Sequence, residues 1–133
     1  MNYYLDTDTC IFALRGQYAS IKKQIQNSSP DHIKIPSMVH AELLLGALKS
    51  DDAKKNVRLI DKFLEPYDVA PFNTQASIAY AKIRYELEKT GHSIGPNDLI
   101  IAAIVITNQG TLITHNIHEF SRVPGLLVED WTA

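Results

Sequence analysis

Strand-like and helix-like segments alternate along this sequence from end to end, and that alternation restricts the fold more than any other feature. Tyr3 to Leu5 form a short aromatic and aliphatic run that ends at Asp6, and Thr7-Asp8-Thr9 supply N-cap chemistry for a helix over Cys10 to Leu14. A second helical stretch covers about Tyr18 to Gln26, and Asn27-Ser28-Ser29-Pro30-Asp31 breaks it into a loop. Ile33 and Ile35 alternate with His32 and Lys34 as a brief strand, after which Pro36-Ser37 open an apolar helix to about Lys49. Ala53, Val57, Ile60 and Leu64 keep helical spacing until Pro66, and Tyr67 to Ala70 make the next strand. A helix over about Thr74 to Lys89 stops at Gly91, and another opens at Gly95-Pro96-Asn97, runs to about Asn108 and ends at Gly110. Thr111 to Thr114 form a strand, His115 to Arg122 a loop or short helix, and Leu126 to Val128 a last short strand. The pattern predicts an α/β protein: a three-layer α/β/α sandwich with a mainly parallel central sheet of four to five strands. In such sheets, sites form beyond the carboxyl ends of the strands.

The chain has 133 residues, 45% of them hydrophobic, which suits one domain spanning residues 1–133. The net charge of -2 does not announce a nucleic-acid binder, so any such site must be local. With Cys10 as the single cysteine, no intrachain disulfide forms. The start lacks a basic segment followed by a long apolar one, and the longest apolar run, Leu99 to Ile106, is too short to cross a bilayer. These features lead us to expect a soluble, cytoplasmic protein with no membrane partner.

Acids in apolar surroundings are the chemistry to explain. Glu42 lies in the helix Ser37 to Leu48, apolar on nearly every side and therefore expected to be buried. A carboxylate there loses hydration, at a cost of several kcal/mol unless a partner, a metal or a raised pKa compensates. Asp98 stands at the start of a helix whose next eight residues carry no polar side chain, and Asp6 closes the first strand. Each has an ordinary explanation: a solvent stripe or ion pair for Glu42, the helix dipole for Asp98, helix entry for Asp6. Together they can meet at one sheet edge. Like charges gathered there raise one another's pKa unless a divalent cation neutralises them, and oxygen ligands select hard ions such as Mg²⁺ or Mn²⁺. The matching chemistry is metal-assisted phosphodiester hydrolysis.

Four segments carry a resemblance: Tyr4-Leu5-Asp6-Thr7-Asp8-Thr9, Ala41-Glu42-Leu43 with Gly46, Gly95-Pro96-Asn97-Asp98-Leu99-Ile100-Ile101-Ala102, and Leu112-Ile113-Thr114-His115-Asn116-Ile117-His118-Glu119-Phe120. In this order, with Val123-Pro124-Gly125-Leu126 and Glu129-Asp130-Trp131 behind them, the sequence resembles the PIN domain and in particular the VapC-type toxins of bacterial toxin-antitoxin systems. The resemblance implies a metal pocket in which Asp6, Glu42 and Asp98 are the principal acids, with Asn116 and Glu119 at the fourth site. It implies that Thr7 holds the first acid or a water, that Asn116 orients Asp6 or the attacking water, and that Asp8 is an auxiliary ligand or a cap.

The implied activity is a Mg²⁺- or Mn²⁺-dependent endoribonuclease that leaves a 5′-phosphate and a 3′-hydroxyl, with tRNA as the expected substrate. A homodimer and a hetero-oligomer with a cognate antitoxin are implied as well, the antitoxin laying a helix in a hydrophobic groove near Ile11, Phe12, Leu14, Leu44, Leu45 and Leu48. His115 and His118 do not make a zinc site, since a third ligand is not apparent. Arg15, Lys22, Lys23, Arg84 and Arg122 are candidates for RNA phosphates, and Tyr80 and Trp131 are read as packing residues. The alternatives are a nuclease of similar fold acting on DNA flaps or rRNA, and a PIN-like module that binds RNA or protein without cutting.

Overall fold

Five short strands, β1 (Tyr3–Leu5), β2 (Ile33–Pro36), β3 (Asp68–Ala70), β4 (Thr111–Ile113) and β5 (Leu127–Glu129), pair in the order β3-β2-β1-β4-β5 in the computed structural model, which describes residues 1–133. Every pair is parallel. Helices α1 (Thr7–Arg15) and α2 (Ala19–Asn27) connect β1 to β2, α3 (Ser37–Leu48) and α4 (Ala53–Leu64) connect β2 to β3, and α5 (Thr74–Thr90) and α6 (Pro96–Thr107) connect β3 to β4. A single turn, α7 (Ile117–Phe120), precedes β5, and Pro30–His32 form one 3-10 turn. The expected α/β architecture is present. The sheet is wholly parallel, and the last strand lies one residue later than the apolar pattern suggested.

The chain builds outward from β1 through β2 to β3, then returns to the other side of β1 for β4 and β5. The reversal falls between β1 and β4, and it opens a crevice beyond their carboxyl ends. Parallel strands covered on their faces read as continuous apolar runs: Leu5, Ile33, Ile35, Leu112 and Ile113 are fully buried. α6 completes this core, with Leu99 and Ile101–Val105 buried, which accounts for its run without polar side chains. No helix is long and apolar enough to cross a membrane.

Two local expectations change. The apolar helix α3 buries one stripe, Val39, Leu43 and Ala47, while Leu45 and Leu48 remain 52% and 66% exposed. A uniformly apolar helix has no sequence signal for which face is covered. Gly110 is not the left-handed stop of α6; that conformation belongs to Gln109, at φ 55°. Gly110 is required by space, because a Cβ there would lie 2.3 Å from Cε1 of buried Tyr4.

Candidate active site

Asp6 stands at the crevice. Leu5 pairs with Ile113, and the Asp6 N–H donates to the Ile113 carbonyl at 3.1 Å, so the sheet bonding of β1 with β4 extends to this acid. The chain then turns, and Asp6 Oδ1 accepts from the Thr9 N–H at 2.8 Å as the N-cap of α1. Capping thus falls to Asp6 itself, since Thr7, Asp8 and Thr9 are already helical. The ordinary helix-entry role of Asp6 is real, yet it uses one carboxylate oxygen and leaves the other. Burial pushes the Asp6 carboxyl up, the Thr114 and Thr9 hydroxyls pull it back, and Asp8 adds repulsion.

Glu42 projects from α3 beside the buried stripe and joins three helices. Its Oε1 accepts from the Thr7 hydroxyl at 2.6 Å, and its Oε2 accepts from Asn97 Nδ2 at 3.4 Å. Thr7 therefore holds Glu42 rather than Asp6, because its place on α1 faces α3. Asp98 lies in the first turn of α6, whose N-cap, Gly95, offers no side-chain cap. The Asp98 carboxyl is pushed up to about 6, first by burial and then by the charges of Glu119, Glu42, Asp6 and Asp8. Those four acids act on Asp98 through one shared field.

Glu119 enters from α7. Its Oε2 accepts from Asn116 Nδ2 at 2.9 Å and its Oε1 from the Gly95 N–H at 3.4 Å. Asn116 thus orients Glu119, and Thr114, two residues earlier, takes the place beside Asp6 that the motif suggested for Asn116. The Asn116 N–H donates to the Thr114 hydroxyl at 2.9 Å, which fixes the two residues relative to each other. Asp8 is exposed and acts on the site by charge alone. Thr114 and Asn97 were missed in the sequence, although both lie inside the quoted motifs; Asn97 adjoins Asp98, which was an available signal, and Thr114 adjoins no acid.

Two of the five candidate cations are committed elsewhere, and Arg15, Lys22 and Lys23 have no partner in the protein. Arg84 donates to the Tyr80 hydroxyl at 2.7 Å and faces Glu88, and Arg122 donates to the Ser93 carbonyl at 3.1 Å. Lys49, not singled out in the sequence, lines a hollow with Thr7, Glu42 and Asn97. Trp131 packs edge-on against Tyr3 with ring centres 5.2 Å apart, as a packing residue.

No Lys or Arg forms an ion pair with Asp6, Glu42, Asp98 or Glu119. No three of these carboxylates converge on a single point as a closed ligand shell. The donor set is oxygen only, its mutual repulsion is uncompensated by protein cations, and each acid approaches from a different element. That arrangement fits a hard divalent ion held by one or two carboxylates and completed by water.

A second surface adjoins the acids. α1, α3 and α4 frame a groove of about 350 Å³ lined by Ile11, Leu14, Leu43, Leu59 and Ile60, with Glu42 and Arg15 also on its wall. Ile11 and Leu14 line it as anticipated, Leu45 lines the neighbouring hollow, Phe12 and Leu44 pack on the core, and Leu59 of α4 is an addition.

Comparison with known proteins gives consistent results. The model of the PIN domain matches residues 3–126. Ribonuclease VapC2 of Rickettsia felis is 37% identical, with 98% of each chain covered. The tRNA(fMet)-specific endonuclease VapC of Salmonella typhimurium is 34% identical, again over 98% of each chain. Among solved structures, a crystal structure of DNA-bound VapBC from Salmonella typhimurium contains a chain with TM-score 0.93 and 33% identity, covering 98% of both chains. A chain of Rickettsia felis VapBC2 bound to a promoter DNA fragment matches with TM-score 0.90 and 36% identity, covering 98% of this chain and 99% of that one.

Proposed function

Because the chain belongs to the PIN-domain family, and within it to the VapC ribonucleases, we propose that it is a Mg²⁺- or Mn²⁺-dependent endoribonuclease that cuts tRNA as the toxin of a toxin-antitoxin pair. The observation that carries the metal-dependent reading is the position of Asp98, whose carboxyl is lifted to about 6 first by burial and then by the charges of Glu119, Glu42, Asp6 and Asp8, with no protein cation paired to these acids. When bound, the ion would polarise the scissile phosphate and offset its developing charge.

The chain's own residues do the rest. Asp6, Asp98 and Glu42 would hold one or two ions, each on one or two carboxylates with water filling the remaining positions, and Glu119 would complete the site through water. Thr7 and Asn97 fix the two oxygens of Glu42, the Thr9 N–H fixes Asp6, and Asn116 fixes Glu119, so these ligands are set before substrate arrives. One of these carboxylates would take the proton of the attacking water. Cleavage of the P–O3′ bond leaves a 5′-phosphate and a 3′-hydroxyl.

The partner is an antitoxin that lays an amphipathic helix into the α1–α3–α4 groove. The groove's apolar floor suits such a helix, and Glu42, shared between the groove and the acids, gives a basic side chain of the partner a route to the site. A homodimer belongs to the same reading, with exposed Ile78 and Tyr85 of α5 available to a second copy.

The test is cleavage of bulk tRNA by purified, antitoxin-free protein with Mn²⁺, alongside Asp6→Asn and Asp98→Asn and an EDTA control. Wild-type cleavage lost in all three controls is expected. Equal cleavage by wild type and both variants, or cleavage persisting in EDTA, refutes the mechanism.

A further inference from the structure

The carboxyl edge of the sheet carries a second cluster on the far side of β4 from β1. Ile113 pairs with Glu129, so the segments that leave β4 and β5 emerge side by side. There His115 Nδ1 lies 3.0 Å from Asp130 Oδ2 and 3.2 Å from Thr132 Oγ1. Asp130 is held in turn, its Oδ1 accepting from the Thr132 N–H at 2.9 Å. Two rings flank the imidazole, Phe12 edge-on at 6.2 Å and Tyr18 tilted at 6.5 Å between centres. The ring is fixed by its surroundings, yet its side chain is 57% exposed and Nε2 has no partner in the protein.

An exposed His–Asp pair adds little to stability. What this pair does is orient: Nδ1 is held between Asp130 and Thr132, so the ring plane is fixed and Nε2 is turned outward. Its place in the chain matters more. His115 stands between Thr114, which lies beside Asp6, and Asn116, which bonds Glu119, with neighbouring Cα atoms about 3.8 Å apart. A polyanion brought to four carboxylates that no protein cation pairs with needs donors at their border; Arg15 and Lys49 stand on the Glu42 side, and His115 is the candidate beside Thr114 and Asn116.

We infer that His115, oriented by Asp130 and Thr132, donates through Nε2 to an RNA phosphate beside the one that is cut, with Asp130 acting as its positioning residue. The inference rests on the ribonuclease reading above. Phosphate contacts of this kind set the register of the strand and carry no base specificity.

The experiment measures kcat and KM on bulk tRNA with Mn²⁺ for wild type, H115A, H115Q, D130N and the H115A/D130N double variant. Binding of the same tRNA to Asp98→Asn protein, with and without H115A, is followed in EDTA across a KCl series. H115A is expected to raise KM about tenfold with kcat changed less than about twofold, the scale of one charge-assisted hydrogen bond. H115Q, which keeps a donor, recovers part of that loss. The slope of log affinity against log salt falls by about one for H115A. D130N raises KM about threefold alone, on the scale of one weakened hydrogen bond, and adds nothing once His115 is gone. A purely structural role would lower the melting temperature without moving the salt slope, and would overturn the inference. So would an unchanged KM in H115A, or a D130N effect that persists undiminished in the double variant. Wild type that cuts while Asp98→Asn does not, with H115A indistinguishable from wild type, sinks this inference alone; wild type that never cuts RNA sinks the ribonuclease reading and this one with it.

Discussion

Removing the charge of Asp98 should stabilise the metal-free protein while abolishing cleavage. The folded-state carboxyl titrates at about 6, against 3.8 for the free side chain. Because the folded pKa is the higher one, the folded state binds more protons between those values, and stability falls as pH rises through that window. The difference corresponds to roughly 3 kcal/mol at about 1.4 kcal/mol per pH unit. Asp98 is only half buried, so solvent screening reduces this to roughly 1.5 kcal/mol. Asp98→Asn also forfeits about 0.5 kcal/mol of attraction to the N-terminus of α6. The net is a gain of about 1 kcal/mol at pH 7.5, or a rise of about 3–5 °C in melting temperature for a chain of this size. The assay is thermal unfolding of wild type and Asp98→Asn in EDTA from pH 4 to 8. The gap should be widest above pH 7 and disappear near pH 4, where wild type is itself protonated. Adding Mn²⁺ should raise the wild type and leave the variant almost unmoved. A variant less stable than wild type at pH 7.5, or a gap independent of pH, would refute the argument that these acids repel one another across the site.

Thr7→Val removes the donor to Glu42 Oε1 while keeping the side-chain volume, and kcat/KM on tRNA should fall about tenfold with little change in melting temperature. Gly110→Ala drives a methyl into the ring of buried Tyr4 and should cost about 1–3 kcal/mol in urea unfolding, although the glycine has no left-handed backbone to lose. Leu59→Lys places a charge on the wall of the α1–α3–α4 groove; capture of the adjacent gene's product should be lost in a pull-down while tRNA cleavage by the isolated protein persists.

Much of this protein was legible in the sequence because periodicity is a local signal. Strand and helix patterns placed nearly every element, Pro and Gly marked most of the ends, and the run Leu99 to Ile106 identified the central buried helix. The candidate acids were legible too, though only as members of ordered motifs: singly, the bland explanation of Asp6 as a helix cap turned out to be physically correct. Which donor serves which acid was not legible. Thr7 reaches Glu42 across 35 positions, Asn97 reaches it across 55, and Gly95 reaches Glu119 across 24, so each pairing depends on how separate elements dock. The covered face of α3 and the need for Gly110 are of the same kind, the first decided by what packs on a helix with no polar face, the second by a ring arriving from β1. Sequence by itself determined the elements and the chemical types available at their ends. Only the tertiary structure decided the charge state of Asp98 and the orientation of its partners, because repulsion and hydrogen bonding act through space and not along the chain.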